Sequence, residues 1–212
     1  MDILIKNETE ADYRTVEEVT REAFWNLYVP GCSEHYFVHV IREHPDFIRE
    51  LDYVAVVDGR IVGNVMYTRA SLTDEAGEVL AIASFGPISV LPRYQRQGIG
   101  SRLIQHSLQT ARDLGYKVVA IYGDPHNYCK HGFRNGKDLA ISNDNGDYPN
   151  GLLALELEKG VLAGHRWRFQ TSPVFECDEH DVEEFDKRFP PEEKGYQYSQ
   201  EIFSIAVRSF LR

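Results

Sequence analysis

Cysteine is scarce in this 212-residue chain: Cys32, Cys129 and Cys177, an odd number set far apart. That excludes a disulfide framework and points to a reducing compartment, the cytoplasm by default. No apolar run approaches the ~20 residues a membrane-spanning helix needs. The opening stretch MDILIKNETE lacks a basic segment followed by an apolar one, so no secretion signal is expected. Cationic residues are the minority. Lys and Arg number 23 against 33 Asp and Glu, a formal net charge of −10. A protein that tracks a phosphate backbone carries a basic face, so nucleic acid is not an expected partner, and nothing suggests a membrane one. An acidic surface favours a cationic substrate only weakly, because solubility accounts for it equally well. Internal repeats and low-complexity tracts are also missing.

What is present reads as an α/β chain of mixed sheet and helices. Alternation predicts a strand over Met1–Lys6. Thr9, with Asp12 three residues on, fits the cap of a helix running to about Leu27, which Pro30-Gly31 ends. A second helix is expected over Ser33–Arg42. Strands follow over Leu51–Val57 and Ile61–Arg69, joined by the hairpin signal Asp58-Gly59. Val79–Val90 reads as a longer strand with a bulge or bend at Gly86-Pro87. Ile99, Leu103, Ile104, Leu108, Ala111 and Leu114 recur at helical spacing, and Gly115 fits the stop. Lys117–Tyr122 and Leu152–Leu157 read as strands. Beyond about Gly160 come expected strands at His165–Gln170 and Val174–Cys177, a solvated acidic helix face, and a helix from Ser199 with Phe203, Ala206, Val207 and Phe210 on one face. These divide the chain into a domain over 1–158 and a C-terminal extension over 159–212, packed on the core and offering a surface for a homodimer contact.

The segment YQRQGIGS sits where the strand ending at Val90 hands over to the helix from Ile99. A helix N-terminus offers unpaired N–H groups and the positive end of the helix dipole. Glycines let a ligand approach the backbone, so strand, glycine loop and helix together suit a pyrophosphate. Two glycines alone favour a tight strand-to-helix turn with no ligand over a binding loop. The dinucleotide fingerprint fails because Leu103 stands where its third glycine belongs. The triphosphatase loop G-x-x-x-x-G-K-[ST] does not occur.

Gln95-Arg96-Gln97-Gly98-Ile99-Gly100 has the form Q/R-x-x-G-x-G/A and follows Ile88-Ser89-Val90-Leu91-Pro92, a V-x-P strand end. It resembles the coenzyme A signature of the GNAT superfamily of N-acetyltransferases. Downstream, GDPHNYCKHGF places Tyr128 five residues before Phe133, similar to that family's Y-x-x-x-G-F segment, and the preceding Gly-Asp-Pro resembles its YhbS-like bacterial branch. The resemblance covers Met1 to Leu157. It implies a GNAT-like central mixed sheet flanked by helices, and transfer of an acetyl group from acetyl-CoA to an amine. It implies that backbone groups of Ile88, Ser89 and Val90 meet the pantetheine arm, that a backbone N–H near Val90 polarises the acetyl carbonyl, and that Arg96, Gln97, Gly98, Ile99, Gly100 and Ser101 hold the pyrophosphate. Tyr128 matches the family's general acid; a core tyrosine is the plainer alternative. Cys129 is expected to be structural.

By the same resemblance the segment Trp25–His44 lines the acceptor side, with Trp25, Tyr28, Glu34 and His35 as expected substrate contacts. The glutamate that many relatives carry on the long central strand is missing, since Ala81–Val90 has no carboxylate. A water chain or a residue of Trp25–His44 could serve as base instead. His35 and His39 have zinc spacing but no third ligand, so no metal is expected. Three readings stay open: an N-acyltransferase, a non-catalytic acyl-CoA-binding or sensing module, and an interaction protein built on the last helix.

Overall fold

The computed structural model describes residues 2–212; Met1, part of the expected first strand, lies outside them. Nine strands form one mixed sheet: β1 (Leu4–Asn7), β2 (Tyr53–Val57), β3 (Arg60–Asp74), β4 (Val79–Val90), β5 (Val118–Tyr122), β6 (Arg134–Asn135), β7 (Ile141–Ser142), β8 (Leu152–Glu156) and β9 (Trp167–Gln170). The spatial order is β1-β2-β3-β4-β5-β8-β6. All pairings are antiparallel except β4 with β5 and β7 with β9. Helices α1 (Tyr13–Phe24), α2 (Glu34–Ile41), α3 (Ile99–Asp113), α4 (Pro125–Tyr128), α5 (Glu179–Asp186) and α6 (Tyr198–Ala206) flank it. Among the described residues no helix is long and apolar enough to cross a membrane.

Side-chain alternation decides which helix covers which face. Tyr53, Ala55, Val65 and Tyr67 point to the side where Ile99, Leu103 and Leu108 of α3 pack. Val54 and Met66 point to the other side, against Val16 of α1 and Val38 and Ile41 of α2. The buried tyrosines satisfy their hydroxyls on α3, Tyr67 with Ser107 at 2.8 Å and Tyr53 with Thr110 at 3.0 Å. The Asp58-Gly59 hairpin has φ 49° and 75°, the two positive values a two-residue turn of matching twist requires.

Several expected elements take a different form. Thr9 starts a short 3-10 turn over Glu10–Asp12 before α1; Asp12 accepts the Thr9 amide at 3.0 Å and its hydroxyl at 2.8 Å. Helix α1 stops at Phe24, short of Leu27, because Asn26 turns left-handed at φ 58°. The expected strand Val174–Cys177 is instead a 3-10 turn over Pro173–Phe175. Ser172 caps it, and Pro173 has no N–H for a ladder. On α6 the packed residues are Gln200 and Phe203. Ala206 and Val207 face solvent, and Phe210 lies beyond the helix in a bridge to Pro149.

The chain after Gly160 joins the sheet. Strand β3 is long enough that β2 takes one edge over its first half and β9 takes the same edge at Ser71–Asp74. Trp167 and Phe169 thereby reach a core with Leu72, Ile82, Val118 and Ala120.

Candidate active site

Strands β4 and β5 are in register at one position, Ala83 opposite Val119. Past it, β4 bulges. Val65 pairs Ile88 and Tyr67 pairs Phe85, so Met66 stands opposite both Gly86 and Pro87, as the Gly-Pro dipeptide predicts. Beyond the bulge the ladder to β3 fixes the outward groups. The Leu91 amide donates to Val62 O at 2.9 Å while Gly63 faces Val90, so Ser89 and Leu91 turn their backbone groups to β3. By antiparallel alternation, those of Ile88 and Val90 turn to the side β5 has left. The Val90 carbonyl accepts the Gln95 side-chain amide at 3.0 Å.

This open edge runs into the glycine loop. A turn over Pro92–Tyr94 is followed by Arg96 at φ 59° and by Gly98, the cap of α3, at φ 86°. The amides of Gln97, Gly98, Ile99, Gly100 and Ser101 meet no acceptor among the described residues. A Cβ built on Gly98 finds nothing within 4 Å, and one on Gly100 only a Val90 methyl at 3.8 Å. The loop therefore presents a fan of N–H groups with space in front of it, closed on one side by His131, whose Nε2 lies 3.4 Å from Ser101 Oγ. Arg96 and Gln97 are exposed at the rim; the Ile99 side chain is core and leaves only its amide to the loop. Ser89 departs from expectation. It is buried, its hydroxyl donates to Asn64 Oδ1, and its backbone faces β3, so it offers the open edge nothing.

Tyr128 ends α4 at the mouth of this gap. Its ring packs against Phe85, the last β4 residue before the bulge, at 5.6 Å between centroids, and against Phe133 at 6.1 Å. It also lies on the backbone of Gly123, where a Cβ would stand 2.4 Å from Tyr128 Cε2. No hydrogen bond within the described chain engages its hydroxyl, unlike those of Tyr53 and Tyr67. Burial, with the charges of Tyr28 and Asp124, holds this phenol protonated well above its ordinary range. A phenol kept neutral is able to donate a proton. Cys129 beside it is exposed and free.

The expected acceptor residues divide. Tyr28 stacks on Phe203 of α6 at 4.6 Å, and its phenol is raised by burial and by the charges of Glu34 and Asp124. Glu34 opens α2, its Oε2 taking the Ser33 amide at 3.1 Å; burial raises its pKa. Trp25 is occupied by the C-terminal extension, its indole N–H donating to Glu193 O at 3.1 Å while the Arg21 guanidinium covers its ring. His35 does not reach the site. It is fully buried, with Nδ1 3.4 Å from Cys32 Sγ, Nε2 3.1 Å from Asp186, and Phe185 and Phe189 about it. Burial lowers its pKa to about 4, so it stays neutral. Sequence reasoning passed over Asp124, His131 and Phe203. Asp124 was visible as the residue before Pro125, a helix-start signal, and its Oδ1 accepts the His126 amide at 2.9 Å. Phe203, 175 positions after Tyr28, left no local signal.

Among the described residues, a strand edge without a partner thus runs into an amide-lined helix start, with a neutral phenol at its mouth. Residues 18–133 match the model of the acetyltransferase (GNAT) family, and the chain belongs to that family of acetyltransferases. Within it the chain falls with the YhbS-like branch. It is 30% identical to an uncharacterized N-acetyltransferase, YhbS of Escherichia coli, over 143 residues, 67% of this chain and 77% of that one. A second Escherichia coli protein, the uncharacterized N-acetyltransferase YjhQ, is 34% identical over 83 residues, 39% of this chain and 45% of that one, so the match spans under half of its length. Among solved structures, Escherichia coli YhbS in complex with CoA superposes with TM-score 0.70 at 23% identity, covering 82% of this chain and 92% of that one. A Brucella melitensis GNAT acetyltransferase in complex with acetyl-CoA gives 0.64 at 22% identity, covering 82% and 98%. Both share the fold.

Proposed function

We propose that the chain transfers an acetyl group from acetyl-CoA to a primary amine of a small molecule or a protein. The observation that carries this is the continuity of the β4 edge at Ile88 and Val90 with the unpaired amides of Gln97–Ser101. The coenzyme complexes of the Escherichia coli and Brucella proteins support it. Acetyl-CoA supplies an acetyl group already activated as a thioester. The residues present suit it. Backbone groups of Ile88 and Val90 pair with the amide-rich pantetheine arm as one strand pairs with another. The amides at the start of α3 receive the pyrophosphate, helped by the helix dipole and by Arg96. An outward N–H at Val90 polarises the acetyl carbonyl as negative charge develops on its oxygen. Tyr128 donates a proton to the departing thiolate. Three unpaired cysteines suit a cytoplasmic setting.

Calorimetry with acetyl-CoA, followed by thiol release across a panel of primary amines, is the test. Stoichiometric binding with amine-dependent release is expected. Absence of binding overturns the proposal, and binding with no release under any amine makes the chain a sensing module instead.

A further inference from the structure

We propose that Asp74, Glu75 and His165 bind one divalent metal ion of the zinc class, which clips the β3–β4 hairpin to the start of β9. The site goes beyond the acetyl-transfer reading and does not depend on it.

The three side chains come from distant parts of the chain. Asp74 is the last residue of β3, where it pairs with Trp167 of β9. Glu75 opens the turn to β4, and His165 lies just before β9. One ligand atom from each stands within 4.8 Å of the other two, and among the described residues no other group of three His, Cys, Asp or Glu is so gathered. Each side chain is held in place from outside the group. Asp74 Oδ1 accepts the Ala76 and Glu78 amides, both at 2.9 Å, which leaves Oδ2 facing His165 Nδ1 at 2.9 Å. Glu75 Oε2 accepts the Arg166 amide at 2.8 Å, across 91 positions of sequence. The imidazole packs on the Trp167 ring at 5.3 Å, and the indole N–H is itself fixed on Leu162 O at 3.1 Å. Hydrogen bonds of this kind orient the ligands of metal sites.

The dimensions suit an ion. Zinc bonds of about 2.0–2.2 Å to nitrogen and oxygen put two neighbouring ligands about 2.9–3.4 Å apart and two opposite ones about 4.2 Å apart. The 2.9 Å from Nδ1 to Oδ2 falls in the first range, and drawing 4.8 Å inward by about half an ångström is within reach of the exposed Glu75 and His165 side chains. A hydrogen bond to Asp74 accounts for the imidazole, but not for a second carboxylate held beside it. No lysine or arginine pairs with either carboxylate among the described residues. Two carboxylates neutralise a dication, and the imidazole favours zinc over magnesium or calcium. The Asp74 side chain is 2% exposed and that of His165 48%, so the ion gains one buried anchor and an open face for water and entry. The hairpin stands at the far end of β4 from the glycine loop, about 35 Å along the strand. The ion's role is therefore to secure the chain after Gly160 to the sheet.

The test is calorimetric titration of the untagged, chelator-stripped full chain with zinc chloride, in wild type, His165→Ala and Glu75→Gln. Both variants alter exposed side chains, and glutamine keeps an acceptor for the Arg166 amide, so folding is preserved. Asp74 is left alone because it carries two backbone amides. Expected is one zinc ion per wild-type chain, with affinity about 10-fold or more weaker in each variant. Zinc should also raise the wild-type Tm by several degrees and leave that of His165→Ala unchanged. Cobalt(II) chloride serves as a spectroscopic probe: visible bands without a thiolate charge-transfer band show ligation by nitrogen and oxygen, apart from the three cysteines. No stoichiometric binding, wild-type affinity in either variant, a zinc-induced Tm rise retained in His165→Ala, or a thiolate band overturns the proposal. None of these readouts involves acetyl-CoA, so the site and the acetyl-transfer reading fail separately.

Discussion

Gly123→Ala offers a sharp perturbation of the site, because it acts on Tyr128 without touching it. Gly123 does not adopt a left-handed φ, so alanine is allowed there, and only the new methyl matters. That methyl would stand 2.4 Å from Cε2, 2.9 Å from Cδ2 and 3.3 Å from Cζ of the Tyr128 ring. Ordinary contact begins at 3.4 Å, so the ring must withdraw by at least 3.4 − 2.4 = 1.0 Å. Phe85 and Phe133 limit how it can turn in place, so it leaves toward the gap and carries its hydroxyl with it. Displacing a reacting group by about 1 Å costs about 10²-fold in rate. Overpacking of this kind costs about 1–3 kcal/mol of stability, a fall of several degrees in Tm for a chain this size. The assay is thiol release at saturating acetyl-CoA, with its calorimetric Kd as control. Tyr128→Phe alone should lower kcat by about 10²–10⁴-fold while leaving coenzyme affinity intact. In that background Gly123→Ala should still lower Tm and change kcat little further, since the hydroxyl it displaces is already gone. A folded Gly123→Ala protein with wild-type kcat, where the chemical step limits turnover, would refute the role of Tyr128.

Gly98→Val should abolish acetyl-CoA binding, because its side chain fills the space now open before the α3 amides, with a Tm penalty from the left-handed φ of 86°; unchanged affinity refutes the cradle. Arg96→Ala should weaken binding less, and more visibly at low salt; equal loss at high and low salt contradicts a screened, exposed charge. Asp52 titrates above the usual carboxylate range, held there by burial first and then by the charge of Glu8. The folded protein thus keeps a proton that the unfolded chain has lost, and stability falls as pH rises from about 4 upward through neutrality. Asp52→Asn should flatten that fall, read as urea midpoints at pH 6 and pH 9; identical slopes in both proteins exclude Asp52 as the cause.

The elements legible in the sequence are those fixed by short-range physics. Helix α3 carries an uninterrupted apolar stripe, and its end appears as Gly115 at φ 86°. The Asp58-Gly59 turn and the bulge at Gly86-Pro87 follow from what those dipeptides permit. The stretch proposed to hold the coenzyme, Ile88–Ser101, is continuous, so its strand, glycine loop and helix start are legible in the sequence. The proposed acceptor half is not. Trp25 and His35 look available in the sequence, but Glu193 and Asp186, more than 150 positions later, occupy both. Ser89 was misplaced for a different reason: alternation along β4 turns its side chain onto Asn64 and its backbone onto β3, a phase the motif does not disclose. Val174–Cys177 reads as strand by composition, yet a capping serine and a proline before it make a turn cheaper than a ladder.

Asn26 receives the Gly31 and Gly195 amides on one oxygen, at 2.8 and 3.0 Å, and gives its own N–H to Glu193 O, while Gln200 grips the Asn26 carbonyl at 2.9 Å. One side chain thus ties the loop that bears Tyr28 to a stretch of chain lying past residue 133, where the family match ends. The two halves of the site are in this sense separately heritable. On the proposed function, substitutions in the last thirty or so residues would reach the loop that bears Tyr28 through Asn26 and Phe203 and leave Gln97–Ser101 untouched. On that reading, a tail grafted from another member of the branch would alter acceptor preference and leave acetyl-CoA affinity unchanged.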